Sequence, residues 1–316
     1  MTSRQDVDIS VELAGINLEN PTVLASGVLG LSRDLLVRLA DCGAGAATIK
    51  SVSPEPRKGH NGPTVIACEA GMLNAVGYSN PGMDVAAEEF DGIDELDMPV
   101  FASAIGQNAE EFASVTARLM PCGFDAVELP LSCPHTPGYG VLAGHSTPEA
   151  TEEITRAVRD VTDRPIFVKL SPNVPAMGEL VLAALEGGAD GISAVNTLGP
   201  GMVIDVKSRT PVLDFKVGGV SGPALRPVAV RCVYDAWTAM RDNGWDAPII
   251  GIGGVSGARH ALEMIMAGAT AVGIGTGAYQ RGPDVFGDVA RDLEKMCRRL
   301  DITNLSEVRG AAHEQS

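Results

Sequence analysis

Several features that would place this 316-residue sequence in other protein classes are missing. No apolar run reaches the roughly 18 residues of a membrane-spanning helix, so we expect no transmembrane segment. Residues 1–6 are polar and include an early acid, which argues against a secretory signal. The six cysteines form no C-x-x-C pair and the five histidines no H-x-x-x-H pair, so we expect no metal site. A chain this long needs no disulfide framework, and a reducing cytoplasm is the expected location.

Aromatic residues and lysines are also scarce. Aromatics make up 4% of the sequence, and only 6 of the 24 basic residues are lysine, against 40 acidic residues and a net charge of −16. Such a charge repels nucleic acids and acidic membrane surfaces, and few aromatic rings are available to stack on bases. We therefore expect neither a nucleic-acid nor a membrane partner. A halophilic source is our hypothesis for the acidic composition, and an ordinary acidic microbial enzyme is the alternative.

One pattern recurs along the chain: a helical stretch ends in a small residue and glycine, and a short apolar run follows, as at Gly188 before 191–195. Glycine suits the left-handed cap of a helix, and a run that is apolar on both faces is typical of a buried parallel strand. Other runs open on proline, which is tolerated at the first residue of a strand. The pattern predicts eight strands, near residues 21–27, 44–50, 99–106, 126–132, 165–171, 191–197, 247–254 and 269–276.

Eight β–α units predict an α/β fold, a single (β/α)₈ TIM barrel, in preference to a doubly wound sheet, which usually has fewer units. The remaining residues are assigned to an N-terminal hairpin over 7–20, a first excursion over 51–83 after strand 2, and a second excursion over 198–222 after strand 6. Both excursions leave from the carboxyl ends of strands, where barrels carry their active sites. No linker divides the chain, so residues 1–316 are predicted to form one domain.

The turns after the last two predicted strands are rich in glycine. They read Gly-Ile-Gly-Gly-Val-Ser-Gly at 251–257 and Gly-Ile-Gly-Thr-Gly at 273–277. Small residues let backbone N–H groups approach an anion, and the loops after strands 7 and 8 commonly bind phosphate in barrels. Neither turn has the spacing of a dinucleotide fingerprint or a P-loop. The turns therefore predict a phosphate site, with tight helix–strand packing as the alternative.

Polar side chains with chemical potential occur at several strand ends. Lys50 and Lys169 end strands 2 and 5, where a cation would neutralise charge that develops on a ligand; snorkelling lysines are the alternative. Cys133 follows strand 4 on a Pro/Gly-rich loop, which suits acid–base or nucleophilic work, with a buried place in the core as the alternative. Asn74 and Asn196 offer donors and acceptors to a planar ligand, with a role in turns as the alternative.

In this order, the segments resemble the dihydroorotate dehydrogenases, FMN-containing barrel oxidoreductases of pyrimidine biosynthesis. Each match is weak alone, but their order along almost the whole chain is specific. The matching segments are Ile49-Lys50-Ser51, Asn74 to Gly82, Glu128 to Pro134, Val168 to Asn173, Asn196-Thr197, Gly218 to Pro223, Gly253-Gly254 and Gly275-Thr276.

The resemblance implies roles for individual residues. FMN would be held by Ser26, Lys50, Ser51, Lys169, Val195, Gly222, Gly253, Gly254, Gly275 and Thr276, the last four around its phosphate. Dihydroorotate would be held by Lys50, Asn74, Ala75, Val76, Gly77, Tyr78, Asn196 and Thr197. Cys133, on an active-site loop over 133–146, would be the general base that takes the C5 proton while C6 passes a hydride to flavin N5. Lys169 would stabilise the charge of the reduced flavin.

The chain resembles the soluble class one of this family, because it has cysteine rather than serine as the base and no N-terminal helical extension. Its motifs Gly-Val-Ser-Gly-Pro-Ala and Asn-Thr-Leu further resemble the branch of the family that pairs with an FAD/iron–sulfur subunit and passes electrons to NAD. The resemblance thus implies a cytoplasmic enzyme that works as a homodimer or, with that partner, a heterotetramer.

Three positions depart from the family pattern. Pro130, His135 and Ser103 stand where asparagines are common, and Ser103 is still expected to contact FMN. A lost amide leaves ligand groups unpaired, at about 1–3 kcal/mol each when buried. A related barrel that oxidises another dihydropyrimidine, such as dihydrouracil, is therefore an alternative. An inactive flavin-binding subunit and a flavin-free sugar-phosphate isomerase are further alternatives, whereas the net charge disfavours a dihydrouridine synthase that acts on tRNA.

Overall fold

The computed structural model describes residues 7–131 and 145–314. The strands in these ranges are β1 (Val11–Leu13), β2 (Ile16–Leu18), β3 (Thr22–Leu24), β4 (Ala46–Thr48), β5 (Val65–Cys68), β6 (Gly71–Asn74), β7 (Val100–Ser103), β8 (Ala126–Pro130), β9 (Ile166–Leu170), β10 (Gly191–Ala194), β11 (Leu198–Gly201), β12 (Ile204–Asp205), β13 (Thr210–Pro211), β14 (Gly218–Ser221), β15 (Ile249–Ile252) and β16 (Ala271–Ile274).

Helices alternate with the strands. The α-helices are α1 (Arg33–Asp41), α2 (Met83–Glu89), α3 (Ala109–Leu119), α4 (Pro148–Arg159), α5 (Met177–Glu186), α6 (Arg226–Asp242), α7 (Ala258–Met266), α8 (Thr276–Arg281) and α9 (Val285–Arg299). Short 3₁₀ helices cover Ile93–Glu95, Met120–Cys122, Pro223–Leu225, Leu305–Glu307 and Ala311–His313. Across the described ranges, no helix has both the length and the apolar character needed to cross a bilayer.

Eight parallel strands close into a barrel in the order β3-β4-β7-β8-β9-β10-β15-β16, with β16 pairing back onto β3. Each falls inside one of the predicted segments, so the (β/α)₈ barrel is confirmed and the doubly wound alternative is wrong. The strands are shorter than predicted because residues at one or both ends of each segment lie outside the ladder; the segment 247–254, for example, is a strand only over Ile249–Ile252. The assignment of the whole chain to one domain stays a prediction.

The predicted N-terminal hairpin is confirmed by the antiparallel pairing of β1 with β2. Its side chains Leu13 and Leu18 are buried in one apolar cluster with Val23, Phe101 and Phe167 from inside the barrel. The hairpin therefore closes the barrel at the end where the strands begin. Burial of such side chains is favourable by about 1.5–3 kcal/mol each, so the hairpin adds to the core as well as covering it.

The barrel interior changes from apolar to polar toward the carboxyl ends of the strands. Phe101 and Phe167 point inward and stack with their ring centroids 5.6 Å apart. Because side chains alternate across a strand, the next inward position lies two residues further along. In four neighbouring strands that position holds a buried polar residue, and together they form what we call the polar layer: Ser103, Glu128, Lys169 and Ser193.

The two excursions are joined in a single antiparallel sheet, the excursion sheet, in the order β11-β14-β6-β5. The sequence analysis predicted the excursions but not their pairing. In this pairing Gly219 of β14 lies opposite Asn74 of β6. The strands approach closely at Gly71, where a Cβ atom would lie 1.9 Å from the carbonyl oxygen of Ser221.

Replacement of this glycine should separate the excursions. We expect Gly71→Ala to lower the free energy of unfolding by about 1–3 kcal/mol, the usual cost of overpacking, and to expose residues 51–83 to proteases. Gly62→Ala is the matched control, because its Cβ would meet nothing within 4 Å. Urea denaturation and limited proteolysis measure both effects. Equal midpoints and equal cleavage rates for the two variants would contradict the role given to Gly71.

Candidate functional site

A cavity of about 410 Å³ opens where the barrel strands end, and the excursion sheet contributes part of its wall. This volume is within the usual range of small-molecule sites, about 300–1,000 Å³. Eleven of the residues predicted to bind FMN or dihydroorotate line it: Asn74, Val76, Lys169, Val195, Asn196, Thr197, Gly222, Gly253, Gly254, Gly275 and Thr276. Within residues 7–131 and 145–314, no group of His, Cys, Asp and Glu side chains is placed to hold a metal ion.

Gly253, Gly254 and Gly275 form one side of the cavity, which we call the glycine cradle. Their N–H groups donate to no other group in the part of the chain that the structure describes. Gly254 has a φ of +69°, and a Cβ atom there would lie 2.7 Å from the carbonyl oxygen of Gly222, so only glycine fits. N–H groups that have no acceptor among the described residues are suited to bind an anion, and these lie next to the start of α8.

Lys169 lies at the base of the cavity in a buried ion pair. Its Nζ is 3.2 Å from Oε1 of Glu128 and 2.9 Å from Oγ of Ser26, which in turn donates to the same Oε1 at 2.7 Å. The lysine is 3% exposed and the glutamate 2%. Burial of either charge alone would be costly, so each requires the other. Strand β9 thus places the Lys169 ammonium at the cavity, and Glu128 of the neighbouring strand β8 fixes its position.

Lys50 differs from Lys169 because its ammonium has no partner in residues 7–131 and 145–314. It follows β4, and among the described residues its Nζ forms neither a hydrogen bond nor an ion pair. Burial lowers the pKa of the Lys50 ammonium below its usual value. A partly buried cation without a counter-charge is suited to an anionic ligand, which would supply the missing partner.

Two amide side chains at the cavity are held by the backbone. Nδ2 of Asn74 donates to the carbonyl oxygen of Gly219 at 3.2 Å, across the pairing that joins the two excursions. Oδ1 of Asn196 accepts from the N–H of Thr197 at 2.7 Å. These bonds fix the orientation of both amides, so each presents a defined edge to a ligand.

Seven of the predicted site residues do not line the cavity: Ser26, Lys50, Ser51, Ala75, Gly77, Tyr78 and Ser103. Ser26 reaches it through its contact with Lys169. Oγ of Ser103 donates to Oγ of Ser51 at 2.9 Å, and both residues are buried. Ala75 is also buried, and Gly77 packs against the ring of His60. Their proposed ligand contacts therefore stay predictions.

Cys133 lies outside the described residues, as do His135 and most of the predicted loop over 133–146. The role of Cys133 as the base stays a prediction. The chain leading to it is described up to Leu131, one residue after the end of β8. Pro130, the last residue of that strand, lies opposite Lys169 in the pairing of β8 with β9.

Sequence reasoning assigned no role to Glu128 or to Ser221. Glu128 had a usable signal, because a carboxylate within the apolar run 126–129 needs a buried cation, and the next predicted strand carries Lys169. Ser221 accepts a hydrogen bond from Oγ1 of Thr276 at 2.8 Å and lines the cavity. This contact depends on the pairing of the excursions, for which the sequence has no local signal.

The unpartnered Lys50 predicts a stability effect. Because its pKa is lower in the folded than in the unfolded state, the folded protein bears the cost of the charge at neutral pH, and the cost fades as pH rises through the folded pKa. We expect Lys50→Gln to raise the Tm of the ligand-free protein by about 1–3 °C near pH 7 and by less at alkaline pH. Lys58→Gln, at an exposed position, is the control. A lower Tm for Lys50→Gln would contradict this account.

Comparisons with known proteins agree with the geometry. A model of the dihydroorotate dehydrogenase family matches residues 8–297. The catalytic subunit of dihydroorotate dehydrogenase B (NAD(+)) from Pyrococcus horikoshii is 43% identical over 305 residues, which cover 96% of this chain and 97% of that one. The subunit of the same name from Methanosarcina mazei is 44% identical over 304 residues, covering 96% and 94%.

The fold has a close structural counterpart. The crystal structure of DHODH from Eimeria tenella in complex with ferulenol superposes with a TM-score of 0.83, covering 99% of this chain and 90% of that one. At 22% identity this likeness concerns the fold alone. The match to the family model and the two archaeal relatives cover nearly all of the sequence, and on that ground the chain belongs to the dihydroorotate dehydrogenase family.

Proposed function

We propose that this chain oxidises dihydroorotate to orotate in pyrimidine biosynthesis, with FMN bound in the cavity. The observation that carries the proposal is the convergence, on one cavity, of the glycine cradle, the buried ammonium of Lys169 and the fixed amides of Asn74 and Asn196. The archaeal relatives, named as catalytic subunits of dihydroorotate dehydrogenase B, support the same reaction.

The residues present fit an FMN molecule. Its phosphate would bind the N–H groups of the glycine cradle together with Thr276, because these N–H groups line the cavity and donate to no other described group. Lys169 would contact the flavin ring from the base of the cavity, with Val195 and Gly222 along the wall. When bound, FMN supplies the hydride acceptor that carbon–carbon desaturation requires.

The substrate would occupy the part of the cavity next to the amides. A dihydropyrimidine ring alternates N–H and C=O groups, and the amides of Asn74 and Asn196 match that alternation with Thr197 beside them. The unpartnered ammonium of Lys50 is suited to the anionic charge of the ligands. Cys133 would accept the proton from C5 of the substrate, since a thiolate can serve as a general base.

The reaction requires an acceptor for the electrons taken from the substrate. The names of the relatives include NAD(+) and "catalytic subunit", which supports a second subunit that carries electrons onward. We therefore propose an FAD/iron–sulfur partner, NAD as the final acceptor and a cytoplasmic heterotetramer. Purified alone, the chain should reduce its own flavin with dihydroorotate but transfer little to NAD until the partner is added.

A second substrate is favoured by one observation. Pro130, which lies opposite Lys169, replaces an asparagine of the family and offers no side-chain donor or acceptor near the site. Dihydrouracil, which lacks the carboxylate of dihydroorotate, is therefore the alternative substrate. The two substrates can be compared directly by turnover of the same preparation.

The proposed function is tested by anaerobic mixing of the FMN-loaded protein with dihydroorotate. We expect rapid loss of the yellow flavin absorbance and formation of orotate in equal amount. Flavin that is bound but bleached only by dihydrouracil would select the alternative substrate. Flavin that is bound and bleached by neither would reject both.

The proposed base predicts a selective defect. We expect Cys133→Ala to retain FMN and to slow flavin reduction by dihydroorotate by about 10²–10⁴-fold, the usual contribution of a general base. Stopped-flow absorbance measures the rate. Cys68→Ala, a change of the half-buried cysteine in β5, is the control. A wild-type rate in Cys133→Ala would remove this residue from the reaction.

The glycine cradle predicts a defect in cofactor binding. A Cβ atom at Gly254 would lie 2.7 Å from the oxygen of Gly222 and would force a positive φ on alanine, so we expect Gly254→Ala to weaken FMN binding at least about tenfold. Gly257→Ala, three residues later in an extended conformation with nothing within 4 Å, should bind FMN nearly as the wild type does. Titration of the flavin-free proteins with FMN measures both constants.

A further inference from the structure

Glu128 is the one member of the polar layer that carries negative charge, and it does not line the cavity. Its Oε1 accepts two hydrogen bonds, one from Oγ of Ser26 and one from Nζ of Lys169. Lys169 does line the cavity, so the glutamate lies beneath the lysine as seen from the ligand side. Glu128 therefore contacts the ammonium at the cavity and does not itself face a ligand.

A lysine in this position needs such a support. Oγ of Ser26 at 2.9 Å and Oε1 of Glu128 at 3.2 Å together fix the place of its Nζ. The pair itself is weak evidence for stability, because two apolar residues of similar volume would fill the barrel without the desolvation cost. Lys50, by contrast, has no counter-charge among the described residues, so the support from a carboxylate distinguishes Lys169 from Lys50.

We propose that Glu128 is a positioning residue that holds Lys169 against the flavin and sets how much positive charge the flavin experiences. This inference rests on the proposed function, since it requires FMN above Lys169. Reduced flavin carries a negative charge, which the ammonium stabilises and the carboxylate below it opposes. Glu128 therefore lowers the midpoint potential of the bound FMN relative to an unaccompanied lysine, which favours passage of electrons onward.

The test compares full-length wild type with Glu128→Gln, Lys169→Met and the double variant. The readout is the midpoint potential of bound FMN, together with its dissociation constants when oxidised and reduced. We expect Glu128→Gln to increase the preference for reduced over oxidised FMN about tenfold, a rise of about 30 mV for a two-electron couple. In the Lys169→Met background the same change should alter the preference less than about twofold, because the ammonium through which Glu128 acts is then absent.

Two outcomes would overturn the inference. An unchanged potential in Glu128→Gln would leave the residue a structural role only, and equal shifts in both backgrounds would show that it acts without Lys169. Glu95→Gln, in an exposed pair with Arg33, is the control for loss of a glutamate charge.

If Glu128→Gln does not fold, Glu128→Asp replaces it. Its shorter side chain moves the carboxylate away from Nζ of Lys169, so a rise in the midpoint potential supports the inference and an unchanged potential overturns it. A wild type that binds no FMN would defeat the proposed function instead.

Discussion

The interior of an eight-stranded barrel has room only for side chains, and every strand must contribute to filling it. This constraint determines which side chains lie at each level inside the barrel. The hairpin and the stacked Phe101 and Phe167 make the lower interior apolar and dry. The polar layer above them is thereby placed at the boundary between a low-dielectric core and an open cavity, where one ion pair has a strong effect on a ligand. The site depends on the packing beneath it.

Local signals made the barrel predictable from the sequence. Glycine caps, strand-opening prolines and short runs that are apolar on both faces each act within a few residues, so eight strands could be counted before any contact was known. The glycine turns after β15 and β16 were likewise visible, since the need for Gly254 arises from its own backbone conformation as well as from its neighbour. The barrel strands also neighbour one another in the order in which they occur along the chain, so the count of strands was enough to predict the topology.

The features that escaped prediction depend on contacts between distant segments. Asn74 and Gly219, which join the excursion sheet, are 145 residues apart, and Ser26 reaches Glu128 across 102 residues. No periodicity within either segment records such a partner. The resemblance also implies ligand contacts for Ser51, Ser103 and Ala75. These residues do not line the cavity of the described structure, so their contacts stay predictions.

Closure of the barrel has a consequence for the cofactor. The first and last barrel strands, β3 and β16, pair directly, and the turn that follows β16 contributes Gly275 and Thr276 to the cavity. A chain in which this pairing has not formed would lack that side of the cavity, so the proposed phosphate site requires the complete barrel. Residues that follow β3 and residues that follow β16 both line the cavity, so by thermodynamic linkage a ligand bound there would stabilise the pairing of the two strands.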